Sequence, residues 1–154
     1  MKIRLGSIDD LLELQQLFVE TIEIVCKADY TNQQIKAWTS GIENKQRWQD
    51  ILTKHIVFVA IESEIISGFC SLDKGNHIDL FYVHKDFQRR GVAKTLYTSI
   101  VNEAKRQRQI ELTSDVSKTA KPFYEKMGFK VVRKQIVMVK GVEFINYKMN
   151  KKLE

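Results

Sequence analysis

Three apolar, β-branched runs lie almost end to end in the middle of this chain: His55–Ile61, Ile65–Leu72 and His77–Val83. Only Glu62-Ser63-Glu64 separates the first two, and Asp73-Lys74-Gly75-Asn76 the next two. Connections this short join antiparallel neighbours, whereas a parallel crossover needs a dozen or more residues. The chain must therefore contain an antiparallel meander, and everything else has to pack on it. Upstream, the apolar residues recur at helical spacing. Ser7 with Asp10 three residues on is a capping signature, and Leu11, Leu14, Phe18, Ile22 and Val25 form one face of a helix reaching about Lys27. Thr31 or Asn32 caps a second helix holding Ile35 and Trp38, which Gly41 stops. A third, around Lys45–Leu52, carries Trp48. Lys2–Leu5 alternates and reads as a first strand.

After Gly91 the helical period returns, with Val92, Leu96, Ile100 and Ala104 on one line. Gln109–Thr113 reads as a short strand. Thr119–Met127 reads as a helix with Pro122 in its first turn and Gly128 as its left-handed stop. Lys130–Val139 and Val142–Met149 close the chain as a hairpin turned at Lys140-Gly141. Hairpins mixed with helical crossovers imply an α/β fold with a mixed, largely antiparallel central sheet flanked by helices. With 154 residues, one proline and no Gly/Ser-rich stretch, residues 1–154 are expected to form a single domain.

Composition removes several classes of function. Cys26 and Cys70 stand far apart without metal-ligand neighbours, so they read as buried thiols of a reducing compartment and no metal site is expected. No apolar run approaches the roughly 20 residues of a membrane span and the N-terminus has no signal-peptide core, which points to the cytoplasm and away from a membrane partner. The net charge of +6 is uneven: Lys85–Ile110 holds seven Lys/Arg against two Asp/Glu, and Met1–Asp50 six against eight. A basic zone suits nucleic acid or a phosphate-rich small ligand. The run Lys105-Arg106-Gln107-Arg108 lacks interleaved aromatics, and no helix-turn-helix signal appears, which disfavours nucleic acid.

The segment that carries chemistry runs from His77 to Leu96. An apolar strand ends at Val83, a short polar loop follows, and Gln88-Arg89-Arg90-Gly91-Val92-Ala93 opens a helix. A glycine at a strand–loop–helix junction leaves backbone N–H groups unpaired at the positive end of the helix dipole, which is an anion site. Arg89, Arg90 and Lys94 add charge. Ala93-Lys94-Thr95 resembles the end of a phosphate-binding loop of nucleotide hydrolases, but Ala93 and Gln88 occupy positions where that loop needs glycine.

Gln88–Ala93 resembles the Q/R-x-x-G-x-G/A signature of the GNAT superfamily of acyl-CoA N-acyltransferases. Ser117–Phe129, S-K-T-A-K-P-F-Y-E-K-M-G-F, resembles that family's late helix, and the element order agrees over Lys2–Met149. Tyr30–Trp38 is similar to a branch of small bacterial acetyltransferases. The resemblance implies a GNAT-like fold and transfer of an acetyl group from acetyl-CoA to the primary amine of a small molecule or peptide, by direct attack in a ternary complex. It implies that backbone amides of Arg89, Arg90, Gly91, Val92 and Ala93 hold the CoA pyrophosphate, with Gln88 beside them among the cofactor-binding residues, and that the strand edge at Tyr82 and Val83 pairs with the pantetheine arm. Ser117 stands where the family often has asparagine against that arm. Tyr124 is implied as the proton donor to the departing thiolate.

An alkylamine of pKa about 10.4 is mostly protonated at neutral pH, so the site needs a proton acceptor or a water chain. His77 and Asp79 share a strand face by alternation and are the candidate bases; His84, in the loop, reads as structural. Tyr30, Trp38 and Trp48 are candidate walls of the acceptor pocket, with helix packing as the alternative. The expected partners are acetyl-CoA and an amine acceptor, with a homodimer left open. The rival functions are a CoA-binding module without catalysis and a basic nucleic-acid-binding domain.

Overall fold

The computed structural model describes residues 1–154. Its elements follow the order β1 (Lys2–Leu5), α1 (Leu11–Val25), α2 (Asn32–Thr39), α3 (Lys45–Lys54), β2 (Ile56–Glu62), β3 (Ile65–Asp73), β4 (His77–Val83), α4 (Val92–Arg106), β5 (Glu111–Val116), α5 (Lys121–Lys126), β6 (Lys130–Val139) and β7 (Val142–Lys152), with short 3-10 turns before α1, after α2 and before α4. Seven strands form one sheet in the order β1-β2-β3-β4-β5-β7-β6. Every pairing is antiparallel except that of β4 with β5. The expected α/β fold with a largely antiparallel sheet is the observed one.

Local chemistry sets the element ends. Ser7 and Asp10 cap each other reciprocally, as do Thr31 and Gln34 at α2. Asp10 also receives two bonds from the Arg4 guanidinium at 2.9 Å, tying β1 to the helix start. The fifth strand begins later than its sequence suggests, at Glu111. Residues 107–109 instead finish α4, where Arg108 takes φ 61° and the Gln109 N–H closes onto Ala104 O at 2.9 Å. The strand then runs on to Val116.

The sheet separates two cores. Helices α1 to α3 cover one face, with Leu14, Phe18, Ile22, Trp48 and Ile51 packed on Val59, Phe69 and Leu80. Helices α4 and α5 cover the other, with Leu96, Ile100 and Tyr124 on Cys70, Ile78 and Met149. In β4 the alternation slips: Cys70 faces Phe81, but Leu72 faces Ile78, so β4 holds one residue more than β3 between these pairs. The bulge lets Ile78 face the second core and Leu80 the first, and a bulge also bends the strand that carries it.

Candidate active site

The bend has a consequence at the only parallel pairing. β4 and β5 meet at His77↔Thr113 and Ile78↔Ser114 and nowhere further. Beyond these pairs the strands diverge, and two cavities open at the divergence. One, of about 660 Å3, is lined by Val83, Gln88, Arg89, Gly91, Val92 and Ala93 on one side and by Pro122, Phe123 and Met127 on the other. The second, of about 350 Å3, lies against α1 to α3 and the β6–β7 hairpin. Trp38, Phe81, Tyr82, Ser117, Ala120 and Tyr124 line both, so the cavities share a boundary at the splay.

The free edge of β4 is set by its pairing with β3. His84 N–H donates to Ser67 O at 2.8 Å. Hydrogen-bonded pairs alternate along an antiparallel ladder, so in the register Phe69↔Tyr82 the Tyr82 backbone is turned toward β3. The N–H and C=O of Phe81 and Val83 point the other way, into the gap. This corrects the sequence expectation for Tyr82, whose ring rather than its amide lines the cavities. Val83 O already accepts from Thr21 Oγ1 at 3.0 Å and from Gln88 Nε2 at 2.8 Å. Gln88 therefore braces the loop through its side chain.

Beyond Gln88 the loop turns through two left-handed residues, Arg89 at φ 60° and Gly91 at φ 82°. The first helical bond of the following turn is Thr95 N–H to Gly91 O at 3.0 Å. The N–H groups of Arg89, Arg90, Gly91, Val92, Ala93 and Lys94 have no acceptor, and they crown a 15-residue helix at the mouth of the larger cavity. A Cβ on Gly91 would meet no protein atom within 4 Å, so the positive φ and the space in front of the amides are what call for glycine there.

Tyr124 stands at the shared boundary and is buried. Its ring meets Phe129 edge-on at 5.0 Å and Phe81 at 6.2 Å. Its hydroxyl lies 3.4 Å from Ser114 Oγ. Ser114 has a single proton and gives it to Ile78 O at 2.8 Å, so the phenol is the donor toward Ser114. Burial, more than any neighbour, raises its pKa above the ordinary phenol range and keeps it neutral.

The structure separates the two candidate bases. Asp79 lines the smaller cavity, with the Arg47 guanidinium 3.2 Å from both its oxygens. Only the bond to Oδ1 is well aligned. Oδ2 is enclosed and lacks a hydrogen-bond partner, with His55 Nδ1 at 3.8 Å. His77 lines neither cavity, and its Nδ1 is 2.8 Å from Thr113 Oγ1. His84 accepts from Asp86 N–H at 3.0 Å and caps the loop turn. Ser117 lines both cavities while its Oγ accepts from Ala120 N–H at 3.1 Å.

Tyr30, Trp38 and Trp48 all reach the smaller cavity. They also pack on one another and on the core: Tyr30 on Trp38 at 5.1 Å, Trp48 on Phe18 at 5.3 Å, with Trp48 Nε1 donating to Gly41 O at 3.2 Å. Core packing and cavity wall are the same surface here. Sequence reasoning missed Phe81, Arg47, Asp115 and Phe144, which line the smaller cavity too. Alternation in β4 was the one available signal, for Phe81; the other three reach the cavity only through tertiary placement. No group of three or more His, Cys, Asp or Glu is arranged to hold a metal ion, and no helix is long and apolar enough to cross a membrane.

The splayed β4–β5 pair and the helix that opens on free amides belong to a fold shared with known proteins. The family model described as "Acetyltransferase (GNAT) domain" matches residues 26–151, and the chain belongs to this family. It is 35% identical over 152 residues to an uncharacterized N-acetyltransferase, YafP, of Escherichia coli K12, covering 99% of this chain and 96% of that one. A GCN5-related N-acetyltransferase structure from Rhodopseudomonas palustris superposes with a TM-score of 0.95 at 29% identity, covering 99% and 95% of the two chains. The PaiA N-acetyltransferase of Thermoplasma acidophilum, solved with coenzyme A, shares the fold with a TM-score of 0.77 at 22% identity, covering 99% and 100%.

Proposed function

We propose that this protein transfers the acetyl group of acetyl-CoA to a primary amine by direct attack within a ternary complex. The observation that carries this reading is the shared boundary of the two cavities at Tyr124, Phe81 and Tyr82, which lets a donor and an acceptor approach one point from opposite sides.

The CoA pyrophosphate would sit on the free N–H groups of residues 89–94, helped by the helix dipole and by Arg89, Arg90 and Lys94. The pantetheine arm would lie along the free edge of β4, accepting from Val83 N–H and donating to Phe81 O as an added strand does. Ser117 borders the path of the arm. The thioester then lies at the boundary, where Phe81 N–H is the backbone donor for the carbonyl oxygen as it gains charge.

An ammonium entering the smaller cavity gives one proton to Asp79, directly or through water. The freed lone pair attacks the thioester carbon, the C–S bond breaks as the tetrahedral species collapses, and the nitrogen loses its second proton. That proton accompanies the departing sulfur, and the products are the amide and free CoA thiol. Tyr124, held neutral, donates a hydrogen bond to the sulfur as it becomes anionic. Complete transfer of its own proton runs uphill, because burial makes the phenol a weaker acid than a thiol of pKa about 8.5.

Initial rates of thiol release with both substrates varied test the reading. Intersecting reciprocal plots are expected. Parallel plots, or an acetylated protein isolated in the absence of acceptor, would replace direct attack with a covalent intermediate. Acetyl-CoA binding without turnover of any amine would leave a binding module.

A further inference from the structure

The smaller cavity is selective in its chemistry. Resting on the transferase reading above, we infer that the acceptor is an arylalkylamine: one primary ammonium carried on a short alkyl link from a flat apolar ring.

Volume and walls set the body of this ligand. About 350 Å3 is at the small end of ligand sites, enough for one ring system and too little for a peptide segment. The walls form a continuous aromatic chain. Trp48 meets Phe18 at 5.3 Å, Phe18 meets Tyr82 at 5.0 Å, Tyr82 meets Trp38 at 6.5 Å, and Trp38 meets Phe144 at 6.3 Å. Val137 and Val139 of β6 add aliphatic surface. A polyol or a second ammonium placed against these walls would lose its water and gain few partners.

The charges set the head group. Arg47, Asp79 and Asp115 are the only charged residues lining the cavity, so its formal balance is one negative charge. The last paired residues of the splay are Ile78 and Ser114. Asp79 and Asp115 are the next residue on each strand, so the two carboxylates flank the opening. Asp115 is held in place by Gln135 Nε2 at 3.0 Å, which also binds Asn146 Oδ1 at 3.0 Å. Asp79 reaches the cavity with a side chain 21% exposed, its enclosed Oδ2 lying beside the Arg47 guanidinium at 3.2 Å. A single ammonium supplies donors to both carboxylates and cancels the balance. An aniline is neutral at pH 7 and supplies no such charge. An amino acid would bring a carboxylate beside Asp115, with the only cation, Arg47, already paired to Asp79.

The test compares acceptors at saturating acetyl-CoA by thiol release: 2-phenylethylamine and tryptamine against aniline, phenylalanine, n-propylamine, spermidine and a lysine peptide. The arylalkylamines should exceed every other class in kcat/KM by roughly tenfold or more, as expected for a ring filling an apolar pocket. Phe144→Leu should narrow the margin of 2-phenylethylamine over n-propylamine by roughly tenfold with the acetyl-CoA KM unchanged. Asp115→Asn should raise the 2-phenylethylamine KM by a similar factor. Faster turnover of spermidine, the peptide, aniline or phenylalanine overturns the inference and leaves the transferase reading intact. So does acetyl-CoA turnover with n-propylamine unaccompanied by any gain from the ring. Absence of both acetyl-CoA binding and thiol release overturns the transferase reading itself.

Discussion

Replacing Tyr124 with phenylalanine isolates the contribution of one hydroxyl. The ring keeps its contacts with Phe129, Phe81 and Phe123. Ser114 still donates to Ile78 O at 2.8 Å, so no buried donor is stranded. The long 3.4 Å contact to Ser114 is the only protein hydrogen bond lost, at a cost below about 1 kcal/mol. Toward the reaction the loss is larger. A hydrogen bond to a charged group is worth about 1.5–3 kcal/mol, which corresponds to roughly ten- to 150-fold in kcat. That lies at the low end of the range for general acids, because the raised phenol pKa limits the residue to donating a hydrogen bond. The assay is single-turnover acetyl transfer, so that product release does not mask chemistry, with acetyl-CoA affinity and melting temperature measured alongside. Affinity should be unchanged and the melting point should move by about 3 °C at most. The parent enzyme should show no alkaline loss of rate through pH 9 arising from Tyr124, since a raised pKa keeps the donor protonated over that range. A variant that turns over at the parent rate refutes the role and makes Tyr124 a packing residue. Loss of acetyl-CoA affinity together with rate would assign the hydroxyl to cofactor binding instead.

Four other outcomes are expected. Acetyl-CoA at about 100 times its dissociation constant should raise the melting point by roughly 5–10 °C, and acetyl-pantetheine should do so far less. In Gly91→Val the positive φ should lower the melting point of the free protein, and the acetyl-CoA increment should disappear; equal shifts with both ligands would remove the pyrophosphate from this loop. DNA and RNA should bind weakly and lose affinity steeply between 50 and about 200 mM salt, as a filter-binding titration would show, whereas tight sequence-selective binding at physiological salt contradicts the enzyme reading. The Arg4 hydrogen bond holds the Asp10 carboxyl below its usual range, so its contribution is present above the ordinary carboxylate pKa and is lost as pH falls through the folded value. Asp10→Asn should therefore destabilise by about 0.5–1 kcal/mol at pH 7 and approach the parent as acid protonates the folded carboxyl, measured by urea denaturation across the acid range.

The sequence determined the elements and the loop that greets an anion. Period, capping pairs and turn residues are local: Ser7 and Asp10, Thr31 and Gln34, and Gly91 act within a few residues, so their reading needs no knowledge of the rest of the chain. The end of α4 carries no such mark, because neither Arg108 nor Gln109 is a helix breaker; their N–H groups close onto Lys105 O and Ala104 O, at 2.9 Å each. What the tertiary structure alone decided is the cleft. The bulge in β4 adds a residue between pairs that look regular in sequence, and the strand then leaves β5 after two pairs. The ladder with β3 turns Tyr82 toward β3 and Phe81 and Val83 toward the gap that this divergence opens. The divergence also brings Asp79 to a cavity and leaves His77, two residues earlier in β4, outside it. Arg47, Asp115 and Phe144 come from three distant segments and meet there because the β6–β7 hairpin and α3 close over the same opening. Alternation tells which face a side chain takes only where no bulge intervenes, as one does between Ile78 and Leu80. Where along that face the sheet opens depends on pairings between strands far apart in the chain, and no local pattern records them.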